Sequence, residues 1–416
     1  MNFRLILSLT LIALFATGFP AEAQQGVRLD DVLRSTDDHP RIRFSRAEVD
    51  VQHGQKLMAL SPPSPRLTFR EEEIATGGSL GSGGLREWQL SQGFDIPLLI
   101  GARSWGYGMR EERAEMNLSF ARAEVRASII RGYVRWYAAW HKRELQRQST
   151  ALAKTFAEKA RLRTEAGESS ALEAARANAE AARMAMALAD ADAEVTAAAG
   201  ALRIAVGRGN AMDGLEAMYP ADSLQPLKDL LPADRLDSIP VPYQVQLAML
   251  DARAAKKDAS WRWMQLLPDF EIAAFRQDFS DIGEHWGLEL SASIPLWFLL
   301  DTRGSVEAAQ AEARKAEAEY DEARLSWLSV RAVREQRYQN AWQKWTSFES
   351  GLALEADRLL RSAVLGYDSG EISYMEYIDA VQEANSIRTA YFDLLAELYD
   401  AAADLEPGYG NILRIQ

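Results

Sequence analysis

The chain has 416 residues, 60 Asp+Glu against 47 Lys+Arg, four His and no Cys, for a formal charge of −13. Such acidity excludes a duplex nucleic-acid binder, which needs a basic face to neutralise phosphates, and the lack of Cys excludes disulfide scaffolds, thiolate zinc sites and cysteine nucleophiles. Beyond an apolar leader, no stretch approaches the ~18 uncharged apolar residues of a membrane-spanning helix.

Residues 1–23 carry Arg4, an apolar run over 5–19 and the end Ala21-Glu22-Ala23, the pattern of a secretory signal. Gln24 stands where a lipoprotein would need Cys, so an exported chain without a lipid anchor is expected. A first unit follows over 24–206. It opens on a short helix at 41–60, just after Pro40. Two strand-like stretches come next, at 66–74 and 86–97, joined by Gly- and Ser-rich residues 77–84 as a hairpin. In the second stretch Trp88, Leu90, Phe94 and Ile96 share one face, with Gln92 the exception. Glu87, Gln89, Ser91, Gly93 and Asp95 share the other. A long helical pattern covers 103–165, Gly167 permits a turn, and a second helix returns over 169–206. The stripe Tyr133, Trp136, Tyr137 and Trp140 falls on one helix face and predicts packing between helices. Residues 171–206 hold 17 Ala, the best helix former, and a small-residue face lets neighbouring helices approach closely.

Residues 207–240, with four Pro and three Gly, read as a linker. A second unit over 241–405 repeats the order: a short helix at 243–266, a hairpin of strands at 269–279 and 286–297, a long helix at 303–367, a turn at Gly370 and a helix at 372–405. Residues 406–416 form a tail. Trp286, Leu288, Leu290 and Ile294 alternate with Gly287, Glu289, Ser291 and Ser293, and Phe270 and Ile272 supply the apolar face of the partner strand. Ala166-Gly167-Glu168-Ser169 and Ser369-Gly370-Glu371-Ile372 lie 203 residues apart. The same offset carries Leu172 onto Met375, Ala181 onto Ala384 and Gly207 onto Gly410. Ordered matches at one offset predict a duplicated unit. No Pro falls between 97 and 220 or between 295 and 407, so long unbroken helices are expected. A helix of ~62 residues spans ~93 Å at ~1.5 Å per residue.

The strands admit two readings. One is a four-stranded sheet packed on a helical core. The other is a membrane β-barrel, whose strands need ~9–11 residues with apolar side chains toward lipid. Four strands cannot close a barrel, and open edges do not survive in lipid. The barrel reading therefore requires several copies to share one barrel.

The stretch Tyr367-Asp368-Ser369-Gly370-Glu371-Ile372-Ser373-Tyr374-Met375-Glu376-Tyr377-Ile378-Asp379-Ala380 resembles the helical-tip motif Y-x-x-G-x-x-x-x-x-[DE]-x-x-[DE]-A of the outer-membrane efflux family typified by TolC. Pro268-Asp269-Phe270 is similar to the proline that precedes a family strand. The resemblance covers nearly all of the mature chain and leans toward the branch serving heavy-metal pumps. Two departures are Thr164, where the second copy has Tyr367, and Ile372, where some members place an Arg.

The resemblance implies a mainly α fold with a small β part: a homotrimer sharing a twelve-stranded outer-membrane barrel, continued by a periplasmic α-barrel. It implies a passive exit duct fed by a periplasmic adaptor (membrane fusion) protein and an inner-membrane pump of the resistance-nodulation-division (RND) type. It assigns Glu376, Asp379, Glu173 and Tyr367 to the lumen and gate, and Gly167, Glu168, Gly370 and Glu371 to the tips that meet the adaptor. Trp88, Leu90, Phe94, Ile96, Phe270, Ile272, Trp286, Leu288, Leu290 and Ile294 would face outer-membrane lipid. No cofactor, resident metal or enzymatic activity is expected: the chain has no G-x-S-x-G and no H-E-x-x-H, and residues 77–84 lack the Lys-Ser/Thr of a phosphate loop. A periplasmic adaptor or a structural coiled-coil protein is the other reading.

Overall fold

The computed structural model describes residues 26–34, 36–72, 84–95, 97–207, 218–221, 224, 241–262, 264, 267–279, 283–293 and 301–409. The signal segment 1–23, Ile96, Ile294, most of the 207–240 linker and the tail beyond 409 lie outside them. The elements of the first half are β1 (Gly26–Val27), α1 (Leu29–Arg34), α2 (Pro40–Leu60), β2 (Arg66–Glu72), β3 (Leu85–Phe94), α3 (Pro97–Glu165) and α4 (Ala171–Val206). Then come β4 (Tyr219–Pro220), α5 (Tyr243–Trp261), β5 (Asp269–Phe279), β6 (Gly283–Ser293), α6 (Asp301–Ser347), α7 (Ala353–Asp368) and α8 (Tyr374–Tyr409). The chain is mainly helical with a small sheet. By contacts it divides into two compact units.

One unit gathers Met1–Pro40, Arg122–Ile239 and Ala332–Gln416. Its core is built where helices meet: Ile129, Tyr133, Trp136, Leu202, Trp345, Leu395 and Leu398 are fully buried. The aromatic stripe of α3 is therefore packing, with Tyr133, Trp136 and Tyr137 buried. Tyr133 also donates its hydroxyl to the Val27 carbonyl at 2.8 Å. That bond ties down β1, which pairs in parallel with β4.

Charge sets the helix register in this unit. Arg131, Arg135 and Lys142 of α3 pair with Asp404, Asp400 and Asp393 of α8. The bases step by four and seven residues along one helix, and the acids step by four and seven in reverse along the other. Such steps keep a helix face, so the two rows meet only in antiparallel register. Arg337 and Lys344 of α6 repeat the seven-residue step against Asp404 and Glu397. These pairs are partly exposed, so each contributes under ~1 kcal/mol. Their effect lies in rejecting slipped alignments.

His141 lies half-buried in the same unit, stacked on Phe392 with 4.8 Å between ring centres. Burial holds its pKa below the ordinary histidine value, against the opposing pull of Glu144. Folding thus favours the neutral ring. Below pH ~6.5 the unfolded chain binds a proton that the folded chain refuses, so stability falls as pH drops through the lowered folded value. We expect His141→Phe to flatten the pH dependence of Tm between about pH 7 and 5. An unchanged slope would assign that acid sensitivity to other groups.

The other unit gathers Arg41–Ala121 and Pro240–Arg331. Its four strands form one antiparallel sheet in the order β2-β3-β5-β6. The two expected hairpins are joined edge to edge through β3 and β5, with Phe94 opposite Phe270 and Trp88 opposite Arg276. Pro40 opens α2 and Pro242 caps α5, as suits a residue with fixed φ and no N–H.

Several boundaries differ from expectation. The second strand ends at Phe94, not 97, because Pro97 opens α3 instead of closing the strand. The fourth strand begins at Gly283 instead of 286, with Ser293 its last described residue, and α5 ends at Trp261 instead of 266. The long helix expected over 303–367 is not continuous. A π-helical turn at Phe348–Leu352 separates α6 from α7. It contains Gly351, a poor helix former, and the wider turn shifts the helix register. Buried positions accordingly step from Ala341, Trp345 and Phe348 to Ala356 and Ala363. Finally, α8 continues to Tyr409 instead of stopping at 405. Pro407 sits in its last turn, where one lost N–H donor does not end the helix at once.

Candidate functional site

Two surfaces hold the residues of interest, one in each unit. The first is the sheet. Its register stacks side chains into rows across the strands. Phe69, Trp88, Arg276 and Trp286 form one row, and Leu67, Leu90, Ala274 and Leu288 the next. Gln92, Ile272 and Leu290 follow, then Phe94, Phe270 and Ala292. These residues share a face because period two keeps them there. The face is open: Trp286 is 75% exposed, Leu288 81% and Leu290 72%. Beyond the Trp row the same face turns charged, at Glu71, Arg86, Asp278 and Glu284. Arg276 pairs with Glu284 and lies over the Trp286 ring at 5.9 Å. Gln92, the polar exception, is satisfied locally, since its amide donates to the Pro63 carbonyl at 2.6 Å.

The opposite face is polar. Glu87 and Ser91 are buried there. Glu87 accepts from the Gln277 amide at 2.5 Å and lies 3.7 Å from Arg70. Phe275 lies over Gly287, where an added Cβ would come within 2.2 Å of the ring. The glycine is the space the ring occupies.

The second surface is the pair of helical tips. Both end in the same hydrogen-bond pattern. Gly167 (φ 78°) and Gly370 (φ 74°) occupy the left-handed region. The next amides, of Glu168 and Glu371, reach back to the Arg163 and Gly366 carbonyls, each at 2.8 Å. This six-to-one closure needs a residue tolerant of positive φ. A serine then starts each returning helix. The Ser170 hydroxyl accepts from the Glu173 amide at 3.2 Å. Ser373 does more: its amide and hydroxyl both donate to the Glu376 carboxylate, at 2.7 and 2.8 Å. That is a capping box.

The tips pack together. Phe156, Ala157, Ala160, Ala177 and Ile378 form a buried cluster, covered by Tyr367, Met375 and Tyr377. The ring of Tyr367 lies 5.7 Å from Phe156 and 5.1 Å from Tyr377. Further along, Asn385 donates to the Ser149 hydroxyl at 2.7 Å and Arg183 to Gln382 at 3.1 Å. Tyr367 and Glu173 line a shallow cleft of about 240 Å³ with Phe156, Lys159 and Arg163. Asp379, Glu376, Glu168 and Glu371 are exposed. Gly370→Ala should cost about 1–2 kcal/mol, because an L side chain strains this φ. We expect faster amide exchange in residues 366–373, with Gly167→Ala a parallel case at the first tip. Unchanged exchange would show that the turn relaxes to another form.

No profile of a known protein family matches the chain. It is 23% identical over 395 residues to the cobalt-zinc-cadmium resistance protein CzcC of Cupriavidus metallidurans, covering 93% of this chain and 91% of that one. Among solved structures, CusC superposes with a TM-score of 0.72 at 14% identity, covering 92% of each chain. The outer membrane protein VceC of Vibrio cholerae gives 0.70 at 17% identity, covering 92% of this chain and 96% of that one. The chain has the fold of the outer-membrane efflux channels.

Within that fold, sequence reasoning singled out the tip glycines and acids and passed over their supports. Phe156 and Tyr377 seat Tyr367, and Ser373 holds Glu376. The spacing S-x-x-E occurs at both tips, as Ser170-Glu173 and Ser373-Glu376. That repeated capping signature was the available signal.

Proposed function

We propose that the chain is the outer-membrane exit duct of a tripartite efflux system and acts as a homotrimer. The reading rests on the sheet, whose four strands leave, among the described residues, two open edges and one exposed apolar face. In water such a face invites aggregation, and in lipid such edges are not tolerated. Three copies of four strands give a twelve-stranded barrel. Strand direction alternates from β2 to β6, so β6 of one copy meets β2 of the next in the same antiparallel sense as every other neighbour. The apolar rows then face lipid, with Trp88, Trp286 and Phe69 as an interfacial girdle. Glu87, Gln89, Ser91, Glu271 and Glu289 face the lumen.

The helices continue the duct through the periplasm. Leu172, Met186 and Ile204 on α4 and Leu354 and Leu365 on α7 are exposed, and adjacent helices of the trimer cover them. The twice-used order of hairpin and long helices reflects a duplication, so each copy supplies two similar staves. Gly167, Glu168, Gly370 and Glu371 mark the tips that meet the adaptor protein, which docks on an inner-membrane pump of the RND type. The likeness to a cobalt-zinc-cadmium resistance protein supports metal cations as cargo. Transport is passive conduction.

Detergent extracts of outer membranes should yield a trimer by native mass spectrometry, and that trimer should conduct ions across planar bilayers. A monomer recovered from the soluble periplasm would contradict the reading.

A further inference from the structure

In the helical unit α3 packs on α4, where the Thr150 hydroxyl donates to the Met184 carbonyl at 2.9 Å. It also packs on α8, where Arg131 meets Asp404 at 2.6 Å. In turn α8 packs on α6, where Lys344 meets Glu397 at 2.6 Å. The row runs α4, α3, α8, α6, and each member is antiparallel to the next. The two outer helices, α4 and α6, are therefore antiparallel as well.

On α4 the outward side lies opposite the core. Val195 is buried, and Met186 and Ile204 each stand nine residues from it. Nine residues are two and a half turns at ~3.6 residues per turn, which puts both on the far side. Met186 is 71% exposed and Ile204 81%. Between them on that side stand Ala189, Ala193, Ala197 and Ala201, exposed too. The profile is a large side chain at each end of a low ridge.

The outer side of α6 has the complementary profile. A groove of about 1250 Å³ runs along it, with Val333 and Leu352 at its two ends and the longer Gln336, Asn340, Gln343 and Lys344 between. Val333 and Leu352 are both exposed. The spacings agree. Met186 and Ile204 are 18 residues apart, and Val333 and Leu352 are 19. The second stretch includes the π turn at Phe348–Leu352, which takes up about one residue more than an α turn. Each pair is thus about five turns, ~27 Å, apart on one face. In an unbroken α-helix Leu352 would lie ~100° off the line of Val333. Charge agrees as well. From 184 to 202 α4 holds Asp190, Asp192 and Glu194 and no base. Asp190 and Asp192 have no partner among the described residues. Glu194 lies eight residues from Met186, and Lys344 eight from Leu352.

Resting on the homotrimer reading above, we propose that α4 of one copy seats in the α6 groove of the next. Met186 meets Leu352, Ile204 meets Val333, the alanine ridge lies under the long polar side chains, and the acidic run faces Lys344. The π turn sets this register. Unlike surfaces meeting head to tail close into a ring.

The chain has no cysteine, so paired substitutions report the contact without background. Full-length protein in outer-membrane fractions carries Met186→Cys with Leu352→Cys, or Ile204→Cys with Val333→Cys. It is oxidised and run on denaturing gels without reductant. Each pair should give a ladder ending at a disulfide-linked trimer. The crossed pair, Met186→Cys with Val333→Cys, should stay monomeric. Adding Ala193→Leu to a matched pair raises the ridge at an exposed site and should cut linkage about tenfold. Matched pairs that do not link, a crossed pair that links equally, or an Ala193→Leu variant without effect overturns the proposal. A cross-link to a different protein in place of the ladder also overturns it. Native mass spectrometry of the parent protein separates the two readings. A trimer whose matched pairs stay unlinked keeps the duct and loses this interface, while a monomer loses both.

Discussion

Leu288→Arg should remove the chain from the outer membrane, while Ser291→Arg three residues away should leave it there. Leu288 is 81% exposed in the middle of the apolar face, one row from the Trp286 girdle and two from the Phe94–Phe270 row. An arginine at the bilayer midplane of a barrel costs about 2–4 kcal/mol. In the proposed trimer three such residues share one barrel, so the total is about 6–12 kcal/mol. That matches the whole stability of an ordinary domain, about 5–15 kcal/mol. Ser291 belongs to the polar face, opposite Glu271. An arginine there meets water and carboxylates, and changes selectivity rather than assembly. Fractionation followed by trimer detection without boiling reads both outcomes. Equal loss of both variants would mean that the two faces do not differ in environment, and would end the barrel reading.

The contrast depends on which face each residue takes, and that much was legible in the sequence. Period-two alternation in β3 and β6 sorts Trp88 from Glu87 and Leu288 from Glu289 without any structure, because a strand allows only two sides. The pairing of β3 with β5 was not legible. The strands lie far apart in sequence, and their meeting is set by how the helices between them pack. The charge register was hidden for a related reason. Asp393, Asp400 and Asp404 are three of many acids on helix surfaces, and their steps gain meaning only beside Arg131, Arg135 and Lys142. The π turn at Phe348–Leu352 leaves one weak local trace, Gly351. The tips were half legible. The motif picked out Gly370, Glu376 and Asp379, while the use of Glu376 as a cap depends on side-chain geometry that spacing only suggests.

That last point turns the tip acids into a sharper experiment. Asp379→Asn should strip most of the duct's cation preference, and Glu376→Gln should not. The Glu376 carboxylate is bound by the Ser373 amide and hydroxyl. Those bonds, the backbone one first, hold its pKa below the ordinary carboxylate value. Its charge is therefore committed to the start of α8. The sign follows: this support is present above the unfolded pKa of about 4.3 and is lost as pH falls through the lowered folded value. Glu376→Gln should reproduce that loss at neutral pH, seen as faster amide exchange in the first turn of α8. Asp379 is exposed one turn further on, with no partner among the described residues. In a trimer its three copies form a ring of like charge, which attracts cations strongly where the lumen is narrow. Reversal potentials across a salt gradient measure the preference. For Asp379→Asn the cation-to-anion permeability ratio should fall toward one; for Glu376→Gln it should stay near the parent value. The opposite pattern would mean that the capping box opens in the assembled duct and hands Glu376 to the lumen.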